Sequence, residues 1–305
     1  MRREIPFDGP LDLRGTLLPL VRGNGDRTIR VASTEAWWTT RTAHGPATLH
    51  LSVEPGRLTA EAWGPGGEDV LERAGRLVGV EPGRQPTAAL TRVDHGGIAG
   101  LARRRPGIRT LRTEAVVDAL IAGILEQKVT GTEAHRVWHG LVRTYGEEAP
   151  GPAGSKLGLR LLPAPATLAA LPYYAYHPLG LERRRADLIR AVAARAGWFE
   201  AIVNLPLPEA YARLLAVPGI GPWTAAEVAV RALGDDDAVS VGDFHMPNLV
   251  AWALAGEPRG NDTRMLELLE PYRGRRALVV RLLELGGVRP PAYGPRLAPR
   301  RIEGI

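Results

Sequence analysis

Two neighbouring stretches hold residue types that could do chemistry together. Leu214 to Ala225 reads Leu-Leu-Ala-Val-Pro-Gly-Ile-Gly-Pro-Trp-Thr-Ala, and about twenty residues on Asp243 follows the run Val239-Ser240-Val241. Pro218 to Gly221 predicts a tight hairpin between two helices. Neither Gly219 nor Gly221 carries a Cβ, so backbone there can approach a ligand closely. The N–H groups that open the second helix lack partners within it and sit at its positive dipole end, which suits a phosphate. An ionised Asp243 near such a phosphate could stabilise developing positive charge and orient or deprotonate a water. Asp is also a common helix cap, and the next helix begins just after it, so both roles stay open. Asp235, Asp236 and Asp237 are crowded together, but Gly234-Asp-Asp-Asp-Ala reads as a solvated loop.

The elements that must position these residues fall into two grains. Over residues 1–90, the segments 28–32, 47–53 and 57–63 alternate with the strand period, and Glu54-Pro55-Gly56 links the last two as a hairpin. Val70, Leu71, Ala74, Leu77 and Val78 then recur at helical spacing. Beyond Pro86 the pattern is helical, with helices predicted over 87–103, 113–127, 131–145, 182–197, 207–216, 222–233, 247–255, 262–270 and 274–285. Thr113 to Val117 reads as a capped start with Glu114 in the first turn. Gly146 to Pro165, rich in Gly, Pro and Ala, predicts a surface loop. The expected fold class is α+β. A sheet domain over 1–90 precedes a mainly helical region over 91–289 and a loose basic tail over 290–305. The helical region divides into two lobes, 116–235 and 91–115 with 236–289.

Composition narrows the chemistry. The 305 residues carry a net charge of +6 with pI near 10.0, which fits a polyanionic partner. Lys128 and Lys156 are the only lysines, so arginine supplies the positive charge, through selection for phosphate forks or through base-composition bias. No cysteine is present, which excludes disulfides, thiolate zinc sites and a cysteine-ligated iron–sulfur cluster. The histidines have no metal-ligand spacing. The start lacks the apolar core of a secretory signal, and no stretch has the apolar length of a membrane span. A cytoplasmic monomer is expected.

The hairpin with Asp243 in register resembles the helix-hairpin-helix DNA glycosylase superfamily, and within it the 3-methyladenine DNA glycosylase II group. The resemblance spans roughly residues 5–288 and is most specific over 214–252. It implies a helical glycosylase core behind a TATA-binding-protein-like antiparallel sheet, with Trp37 to Arg41 and the following hairpin in that sheet. It implies base-excision repair: cleavage of the N-glycosidic bond of an alkylated purine flipped out of double-stranded DNA, with Asp243 as the catalytic carboxylate. A non-catalytic DNA-binding module, or the same fold aimed at deaminated or oxidised bases, are the other readings.

Further site residues follow from the same resemblance. Gly219, Ile220, Gly221, Thr224 and His245 would lie against DNA. The backbone carbonyls of Leu215, Val217 and Ile220 would hold a monovalent sodium or potassium ion, with no other cofactor. Trp223 matches a pocket tryptophan, Tyr272 a second pocket aromatic, and Glu227 stands where the family has a further aromatic. An electron-poor alkylated purine suits aromatic faces. Trp223 also occupies the position where bifunctional relatives carry a Schiff-base lysine, which implies a monofunctional enzyme with water as nucleophile. Residues 120–131 resemble the segment whose glutamine, here Gln127, sits near DNA and whose next residue wedges the duplex. Lys128 departs from that pattern, since an apolar side chain fills an unstacked gap better than an ammonium. The runs Arg103-Arg104-Arg105 and Arg183-Arg184-Arg185 read as solvated faces or groove linings.

Overall fold

The computed structural model describes residues 1–92 and 96–291. Five strands, β1 (Arg2–Pro6), β2 (Ile29–Val31), β3 (Glu35–Thr42), β4 (Gly45–Glu54) and β5 (Arg57–Trp63), form one antiparallel sheet in the order β1-β5-β4-β3-β2. Alternate residues of the three central strands, among them Trp38, Leu49, Leu51, Leu58 and Ala60, turn inward. They pack on Leu13 and Leu17 of α1 (Leu13–Leu17) and on α2 (Gly67–Glu72) and α3 (Ala74–Leu77). The turn linking β4 and β5 pairs Glu54 with Arg57, as the Pro55-Gly56 signal requires.

The helical region begins with a 3₁₀ turn over Thr87–Arg92 and α4 (Gly96–Arg104), where one helix over 87–103 was expected. Next come α5 (Val116–Glu126) and α6 (Gly131–Tyr145). The sequence of α5 is apolar on nearly every side and its residues are buried, which makes it the central helix of the largest core. Such a helix needs partners for its terminal backbone groups, and the sequence reading placed them wrongly. Glu114 does not enter the first turn. It lies before the helix at φ 56° and pairs with Arg76 and Arg112. The N–H groups of Val116 and Val117 donate instead to the Glu200 carboxylate at 2.9 and 3.0 Å. At the other end, Arg185 donates to the Leu125 carbonyl at 2.8 Å, so this arginine is buried and not part of a solvated face.

The segment 146–165 is also corrected. It contains α7 (Pro152–Ser155) and crosses the sheet as a packed strap. Ala149, Ala153 and Leu159 form a small core against Trp37 and Leu157. Thr48 donates its hydroxyl to the Pro150 carbonyl at 2.9 Å and Thr39 donates to the Arg160 carbonyl at 2.7 Å. The Gly and Pro content conceals these scattered apolar contacts.

After the strap run α8 (Pro165–Ala170), α9 (Tyr173–Tyr176), α10 (Arg183–Ala194), α11 (Ala196–Glu200), α12 (Leu207–Leu215) and α13 (Pro222–Val228). A π-helical turn over Ala229–Leu233 extends α13. Two of its carbonyls, Arg231 and Ala232, accept the N–H groups of Thr113 and Glu114. The chain finishes with α14 (Met246–Ala255), α15 (Asp262–Leu269) and α16 (Arg276–Leu285), which enclose a separate core with α4. Asp235, Asp236 and Asp237 are not a solvated loop. Asp235 accepts the Tyr211 hydroxyl at 2.9 Å, Asp236 pairs with Arg84 at 2.8 Å, and Asp237 takes both arms of Arg276 at 2.8 and 2.6 Å. Three consecutive carboxylates thus tie together the segments that meet between the two helical cores. The basic tail expected over 290–305 lies, from residue 292 on, outside the described residues. Among those described, no helix is long and apolar enough to cross a membrane.

Candidate active site

The hairpin between α12 and α13 is built from inside. Gly219 sits at φ 96°, a left-handed conformation, and a Cβ there would come within 2.9 Å of a Leu188 methyl. Gly221 differs: it is extended at φ −94°, and a Cβ would meet nothing within 4 Å. Its bareness leaves open space in front of the first turn of α13. The Ile220 N–H closes the turn on the Val217 carbonyl at 3.0 Å, and the Ile220 side chain is buried in the central core. Gln127, at the end of α5, donates to the Gly219 carbonyl at 3.0 Å and to the Thr224 hydroxyl at 2.9 Å. Gln127 and the buried Thr224 therefore brace the turn from behind. Lys128 follows in an exposed left-handed conformation, φ 54°, which costs a non-glycine residue about 1 kcal/mol.

Asp243 lies in the loop that enters α14, beside the hairpin. Its Oδ1 accepts the N–H groups of His245 and Met246 at 2.7 and 2.8 Å, so it does cap the helix. Its Oδ2 accepts the indole N–H of Trp223, at the start of α13, at 3.0 Å. The cap role and a cleft-facing role are thus combined in one side chain. The carboxylate is partly exposed, and among the described residues no arginine, lysine or histidine pairs with it. A carboxylate offers about four acceptor positions. Three donors fill three of them and leave one, on Oδ2, for a reacting partner. Behind the loop, Gly242 donates its N–H to the Asp262 carboxylate at 3.1 Å, which holds the approach to Asp243.

The other expected residues scatter. His245 is exposed and touches Asp243 through its backbone, while its ring meets Phe244 edge-on at 4.9 Å. Phe244 is 79% exposed although it follows Asp243 directly, a residue the sequence reading passed over. Its signal was a large apolar residue inside an otherwise polar loop. Tyr272 is only 5% exposed and packs in the core of the C-terminal helices, so it offers no open ring face. Glu227 does not line an aromatic pocket and does not face solvent. It pairs with Arg231 at 2.8 Å and accepts the Ser240 hydroxyl. Burial pushes its carboxyl above the ordinary range. Glu227 belongs to an internal network in which Arg231 also meets Glu126 at 3.0 Å and Glu126 meets Arg22 at 3.5 Å.

No family model matches the chain. A DNA-3-methyladenine glycosylase 2 from Escherichia coli is 26% identical over 231 residues, covering 74% of this chain and 73% of the relative. A probable bifunctional transcriptional activator/DNA repair enzyme AlkA from Mycobacterium tuberculosis is 30% identical over 142 residues, 46% of this chain. The chain spans only 28% of that relative's length. In three dimensions, a 3-methyladenine DNA glycosylase from Archaeoglobus fulgidus superposes with a TM-score of 0.77 at 19% identity, covering 93% of this chain and 97% of that one. The chain is thus similar in sequence to DNA-3-methyladenine glycosylases and shares the fold of a solved one. Its α+β architecture, sheet first and helices after, is shared with that structure, and two further glycosylase structures with the same fold are complexes with DNA.

Proposed function

We propose that the protein is a monofunctional DNA glycosylase of base-excision repair that hydrolyses the N-glycosidic bond of alkylated purines. The single observation that carries this reading is Asp243: a partly exposed carboxylate without a cationic partner among the described residues, oriented by Trp223 from the hairpin helix and by two backbone N–H groups. The hairpin anchors a DNA phosphate in the open space at Gly221, where a Cβ would meet nothing and the N–H groups that follow Pro222 lack partners within α13. A phosphate fixed there puts its own sugar within reach of Asp243. As the bond to the base lengthens, the sugar gains positive charge. A carboxylate already oriented stabilises that charge without reorganising, and its free lone pair aligns the attacking water.

The carbonyls of Leu215, Val217 and Ile220 would hold a monovalent cation; the Val217 carbonyl, which accepts the Ile220 N–H, keeps a second lone pair for it. Such an ion would offset the charge of the anchored phosphate. The extruded base meets aromatic surface at Trp223 and at the exposed Phe244, which favours an electron-poor or cationic purine. With Tyr272 buried and Glu227 committed to Arg231, Phe244 joins the expected Trp223 in their place. Water is the nucleophile because Trp223 fills the lysine position of bifunctional relatives.

The test is single-turnover release of free base from methylated duplex DNA, followed by borohydride trapping. Base release with an intact abasic strand and no protein–DNA adduct is expected. A robust adduct overturns the monofunctional assignment, and the absence of base release from every methylated duplex overturns the enzyme.

A further inference from the structure

A basic groove separate from the hairpin runs between the loop over 22–25 and α6. It encloses about 410 Å³ and is lined by Asn24, Thr132, His135, Arg136, His139 and Arg143, with only glycine besides. No carboxylate lines it. His135, His139 and Arg143 recur every four residues, so they form one row on α6 with a step of about 6 Å. The nearby acids are already committed. Asp26 accepts the N–H groups of Arg22 and Thr28 and the Thr28 hydroxyl, at 2.7 to 2.8 Å, and Glu133 closes the Thr130 cap. Glu126 is held by Arg231 and Arg22.

The groove wall is also held in place. His139 donates its Nε2–H to the Arg22 carbonyl at 2.7 Å, and Trp138 donates to Asp26 at 3.4 Å, so the loop is pinned to α6. Gly23 adopts φ 71° over the His135 ring, where a Cβ would come within 2.7 Å of Nδ1. Arg143 is exposed and pairs with no carboxylate among the described residues. Burial and the neighbouring Arg22 hold the His135 ring below its ordinary pKa, an arrangement that an incoming anion would relieve. Finally, α6 begins at Gly131, immediately after the Lys128 turn that Gln127 ties to the hairpin. The helix that forms one wall of the groove therefore starts three residues after Lys128.

We propose that this groove is a second phosphate-binding subsite, which takes phosphodiester oxygens of a DNA strand beyond the one anchored at the hairpin. The assignment rests on the glycosylase reading for its ligand. It adds grip without base selectivity, because phosphate contacts position a protein and carry no sequence information.

The experiment measures Kd for a methylated and an undamaged duplex across a salt series, with wild type, Arg143→Gln and the double variant His135→Gln/Arg143→Gln. Each lost phosphate contact should shallow the log–log salt slope by about 0.9. Affinity for both duplexes should fall together, roughly threefold to tenfold for Arg143→Gln at low salt. Base release at saturating enzyme should hold its wild-type rate. Arg143 is exposed, and thermal melting of the single variant confirms that its fold is intact. Unchanged slope and affinity in both variants overturn the subsite while leaving the glycosylase reading in place. If wild type binds neither duplex, both fall. Titration of the His135 and His139 ring resonances with inorganic phosphate and with duplex separates the two sources of the same chemistry. A response to duplex supports the assignment; a response to inorganic phosphate alone overturns it.

Discussion

Trp223→Phe removes one hydrogen bond and little else, which makes it a sharp probe of how Asp243 is held. The indole N–H donates to Oδ2 at 3.0 Å, and phenylalanine keeps an aromatic face while losing that donor. A hydrogen bond to a charged acceptor contributes about 1.5–3 kcal/mol. If the bond serves to orient the carboxylate in the transition state, its loss slows base release by roughly 10- to 150-fold. The two backbone donors on Oδ1 remain, so the side chain stays in the loop but turns more freely. DNA affinity should hold, because the phosphate contacts lie elsewhere on the hairpin. The assay is single-turnover base release from a methylated duplex by wild type, Trp223→Phe, Asp243→Ala and the double variant. Once Asp243 is gone, the tryptophan's donor has nothing to orient, and Trp223→Phe should cost almost nothing further. Two losses that multiply fully would refute the coupling and leave Trp223 as a stacking surface only.

Other consequences follow from the buried charges and the brace. Burial, reinforced at Glu200 by Asp118, pushes the Asp118 carboxyl up to about 6 and that of Glu200 up to about 7. A raised carboxyl pKa stabilises the fold fully below the unfolded value near ~4, and that contribution is lost as pH climbs through 6 and 7. The melting temperature should therefore fall between about pH 4 and pH 7, and Asp118→Asn should flatten that fall; an unaltered pH profile would count against it. Gln127→Glu puts a carboxylate against the Gly219 carbonyl in place of a donor. It should lower stability by about 1–3 kcal/mol in urea unfolding and weaken duplex binding, whereas an unperturbed variant would show that the brace is idle. Lys128→Gly relieves a left-handed residue and should stabilise the fold by up to about 1 kcal/mol while removing one exposed charge.

Much of the fold was legible because period and punctuation agreed. The helix over 131–145 stands where the sequence puts it, with Thr130 and Glu133 forming a reciprocal cap. β4 and β5 alternate cleanly about a Pro-Gly turn. β1 was not legible, since Arg-Arg-Glu-Ile-Pro at a sheet edge has one partly covered side chain and no pattern to read. Long-range partners were hidden as well. Nothing near Val116 announces that Glu200 caps it, and Arg185 in a run of three arginines looks like any surface charge. The same blindness affected Asp235 to Asp237, whose partners Tyr211, Arg84 and Arg276 come from three distant segments. In the site, the hairpin and Asp243 were readable because turn chemistry and spacing are local. The pocket was not. Tyr272 is buried by tertiary packing of the C-terminal helices, Glu227 is drawn into a charge network that reaches Glu126 through Arg231, and Phe244 is distinguished only by its exposure.

The central claim is that the Asp243 carboxylate, and not the fold alone, makes this molecule an enzyme. Asp243→Asn nearly preserves shape and keeps an oxygen for the donors around it, while removing the negative charge. Base release and duplex affinity should be measured on the same methylated DNA with the same preparations. Release falling by at least about a thousandfold, with affinity equal or higher, is the predicted outcome. Release by Asp243→Asn at the wild-type rate would contradict the account.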